Sequence, residues 1–214
     1  MNKFNATIID YGVGNLMSVR RGLEYVGASV NITSDPDKLA DASHIILPGV
    51  GAFSNAMEAL TNLNLTEAII NCANKGIPLL AICLGMQLLL DESEEFGNTR
   101  GLGLISGSVI SLNSQEGIEK LKIPHIGWGV LNRMRKEISW RNTILENLRE
   151  GESLYFVHSF KAIPRNDDHI LAICKYGEND IASVIVKDNV MGCQFHPEKS
   201  GEVGLKILKK FLTI

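Results

Sequence analysis

The sequence predicts an α/β protein with an open, mostly parallel central sheet, flanking helices and a smaller, partly antiparallel section. Short apolar runs that are typical of buried strands alternate with helical patterns through the first half of the chain. Glycine or proline follows several of these runs directly, as is typical of strand ends. In the second half, strand-like segments follow one another with few helical patterns, which favours antiparallel pairing.

The first half of the chain contains alternating predicted strands and helices. Strands are predicted over residues 6–10, 28–32 and 45–47, and a central strand begins at residue 79. Apolar residues at helical spacing predict a helix from Leu16 to a stop at Gly27, and Asp35-Pro36 is typical of a helix start. Two further helices are predicted over residues 54–60 and 66–74.

The second half is predicted to be mainly β structure. Its strand-like segments cover residues 107–112, 126–131, 153–158, 169–176, 181–187 and 190–195. A polar loop is expected over residues 113–122, and a closing helix over residues 201–212. Because no internal repeat or clear linker is visible, we expect residues 1–214 to form a single domain.

The composition is that of an ordinary soluble globular protein. Hydrophobic residues make up 45% of the 214 residues, and the formal net charge of -3 gives no reason to expect nucleic acid or an anionic membrane as a partner. The longest apolar run, residues 77–90, is interrupted by Gln87 and is too short to span a bilayer. The four cysteines form no C-x-x-C pair, so neither a zinc site nor a disulfide framework is indicated. A cytoplasmic protein is therefore expected.

Cys83 is the first candidate for chemistry. The apolar run that begins at Pro78 enters this cysteine, and a helix-forming run over residues 86–90 follows it. Such a strand-to-helix turn displays a nucleophile at the carboxyl edge of a sheet, and the start of the helix favours the thiolate. The same run is also compatible with a buried structural cysteine in a core strand.

His196 and Glu198 are the second candidates, because they follow a late predicted strand and are separated only by Pro197. An imidazole near a thiol improves it as a nucleophile, and a carboxylate can orient the imidazole and stabilise its charged form. His-x-Glu alone would equally fit a surface loop. In an α/β sheet, however, sites form outside the carboxyl ends of strands, so we expect Cys83 and His196 to meet there, beside Gly14 and Gly51.

The motifs around these residues resemble those of a known family. Residues 81–87 (AICLGMQ) and 194–200 (QFHPEKS) are similar to the signatures of class I, Cys-dependent glutamine amidotransferases. Residues 9–15, 47–53, 124–128 and 155–159 are most similar to the glutaminase subunits of imidazole glycerol phosphate synthases. The resemblance covers nearly the whole chain and implies the flavodoxin-like architecture of these amidotransferases.

The resemblance also implies roles for individual residues. Cys83 would attack the carboxamide of glutamine, while His196, oriented by Glu198, would protonate the departing ammonia and then activate water. The implied oxyanion hole consists of backbone groups of Gly49, Val50, Gly51 and Leu84. The implied glutamine-binding residues are Gly51, Gln87, Ser159 and Phe160. Neither a metal nor a cofactor is implied.

A partner subunit is implied as well. In this family the ammonia passes into a (β/α)8-barrel synthase or cyclase subunit that forms a heterodimer with the glutaminase, and Asn15 is expected at that interface, with Trp128 and His125 as further candidates. Met17, Gly129 and Phe160 stand where Arg, Asn and Tyr are expected. The first two of these differences bear on the partner surface, and the third removes a hydroxyl.

Several functions are compatible with these motifs. The first is glutamine hydrolysis for histidine biosynthesis, and the second is a paralogous subunit that supplies ammonia for the amination of a surface-polysaccharide sugar. A third is a catalytically silent docking partner, although intact Cys83, His196 and Glu198 argue against it. A stand-alone γ-glutamyl hydrolase would use the same nucleophile but would be active without a partner.

Overall fold

The computed structural model describes residues 4–113 and 121–214. Most of the predicted polar loop 113–122 therefore lies outside the described residues. The strands are β1 Phe4–Ile9, β2 Ala28–Thr33, β3 Ile45–Leu47, β4 Leu79–Ile82, β5 Glu92–Ser93, β6 Thr99–Arg100, β7 Gly107–Ser111, β8 His125–Arg133, β9 Ser153–His158, β10 Phe160–Pro164, β11 Ile170–Tyr176, β12 Asn179–Lys187 and β13 Val190–Cys193. The helices are α1 Leu16–Tyr25, α2 Pro36–Leu39, α3 Phe53–Asn62, α4 Leu65–Asn74, α5 Leu84–Leu88 and α6 Gly201–Phe211.

A nine-stranded sheet forms the centre of the described structure. Its strand order is β2-β1-β3-β4-β13-β12-β11-β8-β9. The first five strands in this order, β2, β1, β3, β4 and β13, are parallel to one another. The remaining four, β12, β11, β8 and β9, pair antiparallel. The predicted α/β class is confirmed, and the antiparallel section proves to be a continuation of the parallel one instead of a separate layer.

The parallel half is covered by helices on both faces, as the fully buried strands β3, β4 and β13 require. Successive residues of β4 belong to opposite core layers, since Leu79 packs in the layer that contains Leu60 of α3 and Leu80 packs in the layer that contains Leu23 of α1. The layer with Leu23 also holds Leu208 of α6. The strands β3, β4 and β13 are parallel neighbours between two helical layers, so the residues that follow them lie at the same edge of the sheet.

A second sheet was not predicted. It has the order β10-β7-β5-β6, and two of its strands contain only two residues. The strand β10 follows β9 after a single residue, Ser159, at which the chain leaves the large sheet and enters the small one. Sequence alternation does not reveal such a change of sheet, so β10 was missed. Among the described residues, none of the helices has the length and apolar composition needed to cross a bilayer.

Candidate active site

Cys83 lies at the turn between β4 and α5, as predicted. Its backbone continues the sheet by donating a hydrogen bond to the Cys193 carbonyl at 2.7 Å, but its φ of 55° and ψ of -111° break the strand. A non-glycine residue in this region is strained, and such strain is typical of residues that display a nucleophile. The helix that follows has the same length as the predicted run 86–90 but lies two residues earlier, from Leu84 to Leu88.

Two glycines allow the loop after β3 to lie directly against the start of α5. A Cβ atom on Gly85 would be 2.0 Å from the Leu47 carbonyl oxygen, and one on Gly49 would be 2.7 Å from the Gly85 nitrogen. Real Cβ atoms do not approach backbone atoms so closely. The loop with residues 48–51 is therefore held beside Cys83 by contacts that only glycine permits at these positions.

The same loop is fixed from its other side by Tyr11, which follows β1. Its buried hydroxyl donates a hydrogen bond to the Pro48 carbonyl at 2.7 Å. Burial, and then the proximity of Cys83, raises the pKa of Tyr11, so the phenol stays protonated and remains a donor. Gly14 packs here too, because a Cβ atom on it would be 3.5 Å from the Pro48 side chain.

His196 and Glu198 form a buried pair. The residues Pro197–Lys199 form a single 3-10 turn after β13, and the His196 Nδ1 lies 2.8 Å from the Glu198 Oε1. Their side chains are only 3% and 1% exposed. The turn packs against α6 through Gly204, where a Cβ atom would lie 1.9 Å from the Pro197 carbonyl oxygen. The predicted His–Glu interaction is therefore present in the structure.

The electrostatics of His196 favour its charged form. Burial alone would lower its pKa, but the Cys83 sulfur and the Glu198 carboxylate outweigh burial and raise the pKa to about 9. Because Nδ1 faces Glu198, the other ring nitrogen, Nε2, is the one left for chemistry. It is buried and has no hydrogen-bond partner within residues 4–113 and 121–214. The pair can thus hold a proton next to the sulfur at neutral pH.

A cavity of about 260 Å³ opens over the sulfur. Its lining brings together most of the predicted site residues, namely Val50, Gly51, Cys83, Leu84, Gln87, Ser159, Phe160 and His196. Glu198 and Gly49 do not line the cavity. Glu198 lies behind His196, and Gly49 is the residue of the loop that packs against the start of α5. The expected meeting of strand ends at one crevice is confirmed for Gly51, Cys83 and His196, whereas Gly14 supports the loop from outside.

The cavity also contains residues to which the sequence analysis gave no role. His158 lines the cavity, and its Nδ1 donates to the Phe160 carbonyl at 2.8 Å. Glu95 lines it too and accepts a hydrogen bond from the Phe53 backbone N–H at 2.7 Å, which caps α3. Glu95 belongs to an acidic stretch that reads as solvated surface in the sequence, so only the fold reveals its position.

The residues expected at a partner interface differ in exposure. Asn15 is exposed and caps α1 by accepting a hydrogen bond from the Ser18 N–H at 3.4 Å. Trp128 is 61% exposed and is flanked on the same face of β8 by the exposed Ile126 and Val130. His125 is buried and contacts His158. Within the described part of the chain, no cluster of acidic, histidine and cysteine side chains could hold a metal ion.

The fold and this site define a class of protein. The family model of class-I glutamine amidotransferases matches residues 7–214, so the chain belongs to that family. Among solved structures, that of PurLQS from Thermotoga maritima superposes with a TM-score of 0.72 at 21% identity, covering 99% of this chain and 98% of that one. A putative gmp synthase subunit a protein from Thermoplasma acidophilum gives a TM-score of 0.68 at 19% identity, covering 98% and 92%. At such identities the likeness concerns the fold alone.

The curated relatives are more specific. The chain is 50% identical over 211 residues to the imidazole glycerol phosphate synthase subunit HisH 1 of Legionella pneumophila (strain Lens), covering 98% of this chain and 99% of that protein. It is 47% identical over 206 residues to the imidazole glycerol phosphate synthase subunit HisH of Syntrophotalea carbinolica, covering 95% and 97%. The resemblance inferred from the motifs is confirmed.

Proposed function

We propose that this chain is the glutaminase subunit of an imidazole glycerol phosphate synthase. It hydrolyses glutamine to glutamate and delivers the ammonia to a (β/α)8-barrel cyclase subunit in histidine biosynthesis. The observation that carries the proposal is that Cys83 and His196 line one cavity, with Glu198 bonded to His196 behind it, in a chain about half identical to HisH subunits over nearly its whole length. The proposal treats residues 1–214 as a single cytoplasmic domain.

The first half of the reaction uses the sulfur and the charged imidazole. The Cys83 thiolate attacks the carboxamide carbon, and backbone N–H groups of Val50, Gly51 and Leu84, which line the cavity, stabilise the negative oxygen that develops. Because the pKa of His196 is about 9, the ring is already protonated and can donate from Nε2 to the departing ammonia. A glutamyl thioester remains on Cys83.

The second half releases glutamate. His196 is neutral after giving up its proton, so Nε2 can now accept one from a water molecule that attacks the thioester. Glu198 keeps the ring oriented through Nδ1 in both steps. Gly51, Gln87, Ser159 and Phe160 surround the space where the amino-acid end of glutamine would be bound.

Two exposed segments suit a docked partner. One carries Asn15 after β1, and the other presents the apolar side chains of Ile126, Trp128 and Val130 on β8. An apolar surface of this kind on a monomer is typical of an interface. The proposal places the barrel subunit over these residues, so that ammonia need not enter the solvent.

The function is tested by measuring glutamate release from glutamine with and without a (β/α)8-barrel cyclase subunit of an imidazole glycerol phosphate synthase. We expect little release from the chain alone and a large increase in the complex, together with glutamine-dependent formation of the imidazole product. No release in either case would support the silent docking partner. Full release without a partner would support the stand-alone hydrolase.

A second candidate keeps the chemistry and changes the acceptor, which would be a surface-polysaccharide sugar. It is favoured by Met17, an exposed apolar residue where Arg is expected, and by Gly129, where the fold leaves no room for the expected Asn. A Cβ atom on Gly129 would be 2.5 Å from the Cys174 sulfur. Complex formation and glutamine-dependent turnover with only one of the two barrel partners would decide between the candidates.

The Glu198→Gln variant tests the role of the carboxylate. Because Glu198 contributes to the raised pKa of His196, its loss lowers that pKa, and the proton needed by the leaving ammonia is then lost at lower pH. We expect kcat in the complex to fall about 100-fold or more, and the basic limb of the pH–rate profile to move down from near pH 9. The exposed Glu202→Gln on α6 is the matched control. An unchanged basic limb would contradict the assigned role.

A further inference from the structure

Gln194 is a fully buried polar residue that the proposed mechanism does not use. It follows β13 and precedes the His-Pro-Glu turn, and its backbone N–H donates to the Ser183 carbonyl at 2.9 Å. Its side chain lies between Gln87 and the nucleophile. The Gln194 Nε2 lies 3.8 Å from the Cys83 sulfur, and its Oε1 lies 3.0 Å from the Gln87 Nε2.

The orientation of this amide follows from its neighbours. The Phe160 carbonyl can only accept hydrogen bonds, so the atom of Gln87 that lies 3.1 Å from it must be the nitrogen. The second N–H of that nitrogen then donates to Gln194, which must present its oxygen there. The Gln194 NH₂ group is thereby turned toward the sulfur.

The Phe160 carbonyl also accepts from a second chain of donors, which begins at His125. Burial lowers the pKa of His158 to about 4, so this ring is neutral, and its Nδ1–H donates to the same Phe160 carbonyl. The His158 Nε2 then accepts from the His125 Nδ1 at 3.2 Å. Every amide and imidazole in the chain thus has one orientation that satisfies its partners, and none of them allows Gln194 to reverse.

Two groups contact the sulfur with opposite preferences. The Val157 carbonyl lies 3.6 Å from it and accepts a hydrogen bond from the thiol, which stabilises the neutral form. The Gln194 NH₂ group donates, and a donor stabilises an anion more than a neutral sulfur. Gln194 itself is fully buried, so its amide stays directed at the sulfur and is not drawn away by solvent.

We propose that Gln194 is a catalytic residue that holds the Cys83 sulfur as a thiolate by donating an N–H from its fixed side-chain amide. The proposal deepens the proposed function, on whose nucleophile it rests. His196 supplies the neighbouring positive charge, and Gln194 supplies a directed donor on the sulfur itself. Gln87 has a second task in this arrangement, since its own amide sets the orientation of Gln194.

Two substitutions separate the donor from the packing. Gln194→Glu has nearly the same shape and retains an acceptor for Gln87, but as a carboxylate it offers no N–H to the sulfur. Gln194→Met has a similar length and removes the polar group. Ser183→Ala is the matched control, because it makes a small change at a buried residue on the neighbouring strand. Cys83→Ala provides the blank for labelling.

The measurement is the rate of alkylation of the full chain by iodoacetamide as a function of pH, which reads the thiolate whether or not glutamine is the substrate. We expect both Gln194 variants to raise the midpoint of the profile by about one pH unit, with an alkylation rate that is about tenfold lower at pH values well below both midpoints. The Ser183→Ala midpoint should match that of the unaltered chain. Thermal unfolding of each variant confirms that it is folded.

The outcomes separate this proposal from the function on which it rests. Folded Gln194→Glu with an unaltered midpoint would overturn the donor role, even if glutamate release were lost. A raised midpoint in a chain that never releases glutamate in any complex would support the donor and overturn the glutaminase function. If Gln194→Met does not fold, the uncharged Gln194→Leu replaces it, because the carboxylate of Gln194→Glu would also raise the midpoint by repelling the thiolate.

Discussion

Cys83→Ala should abolish glutamate release by the assembled complex, with a loss on the order of 10⁴-fold or more. Without the sulfur no thioester forms, and the cavity retains only binding and oxyanion stabilisation. Alanine has a Cβ atom like cysteine, so the φ of 55° at this turn is no more strained in the variant. The measurement is glutamate release at saturating glutamine.

The control for Cys83→Ala is synthase activity supplied with ammonium salt instead of glutamine. A variant that is folded and docked should support that reaction at the unaltered rate, because the barrel subunit carries it out. Cys83→Ser should also be nearly inactive, since a hydroxyl is ionised far less than a thiol at neutral pH. Glutamate release retained by Cys83→Ala would remove the sulfur from the mechanism.

Gly85→Ala should lower both stability and kcat, because it adds one carbon atom where the fold has no space. The new Cβ atom would lie 2.0 Å from the Leu47 carbonyl oxygen, and this backbone atom cannot turn aside as a flexible side chain can. The loop 48–51 or the start of α5 must therefore move. We expect a loss of about 1–3 kcal/mol of stability and, from misplacement of the oxyanion donors, a fall in kcat of about 100-fold.

The comparison for Gly85→Ala is Gly76→Ala at the end of α4. Gly76 has a φ of +82° and open space around its Cβ position, so the substitution strains the backbone without a clash. It should lower stability by about 1–2 kcal/mol and leave kcat unaltered. Denaturant unfolding and glutamate release measure the two effects separately. Full activity in Gly85→Ala would show that the loop and helix can separate without cost.

The sequence was sufficient for the elements with a strong local pattern. The strand over residues 45–47 is found with the predicted bounds, because a short apolar run ends there at a proline. The two-residue strands β5 and β6 have no pattern of their own, since their backbones pair only after the chain has folded. β10 was missed because Ser159 is the only residue that separates it from β9.

The site could be predicted only in part for a similar reason. Cys83, His196 and Glu198 follow predicted strands and carry recognisable chemistry, so their meeting could be expected from the sequence. Gln194 and His158 also belong to quoted motifs, yet their contacts depend on how amides and rings are oriented by distant partners. Such orientation is a property of the packed interior and has no local signature.

The hydrogen bond from Tyr11 to Pro48 joins two segments of the chain, which also pack together at Gly14. One segment follows β1 and carries Asn15 to the exterior, and the other borders the nucleophile. If a docking protein displaced the segment after β1, the loop 48–51 would move with it, because the Tyr11 side chain connects the two. The Tyr11 hydroxyl is therefore a direct contact between the segment that carries the exposed Asn15 and the loop beside the Cys83 sulfur.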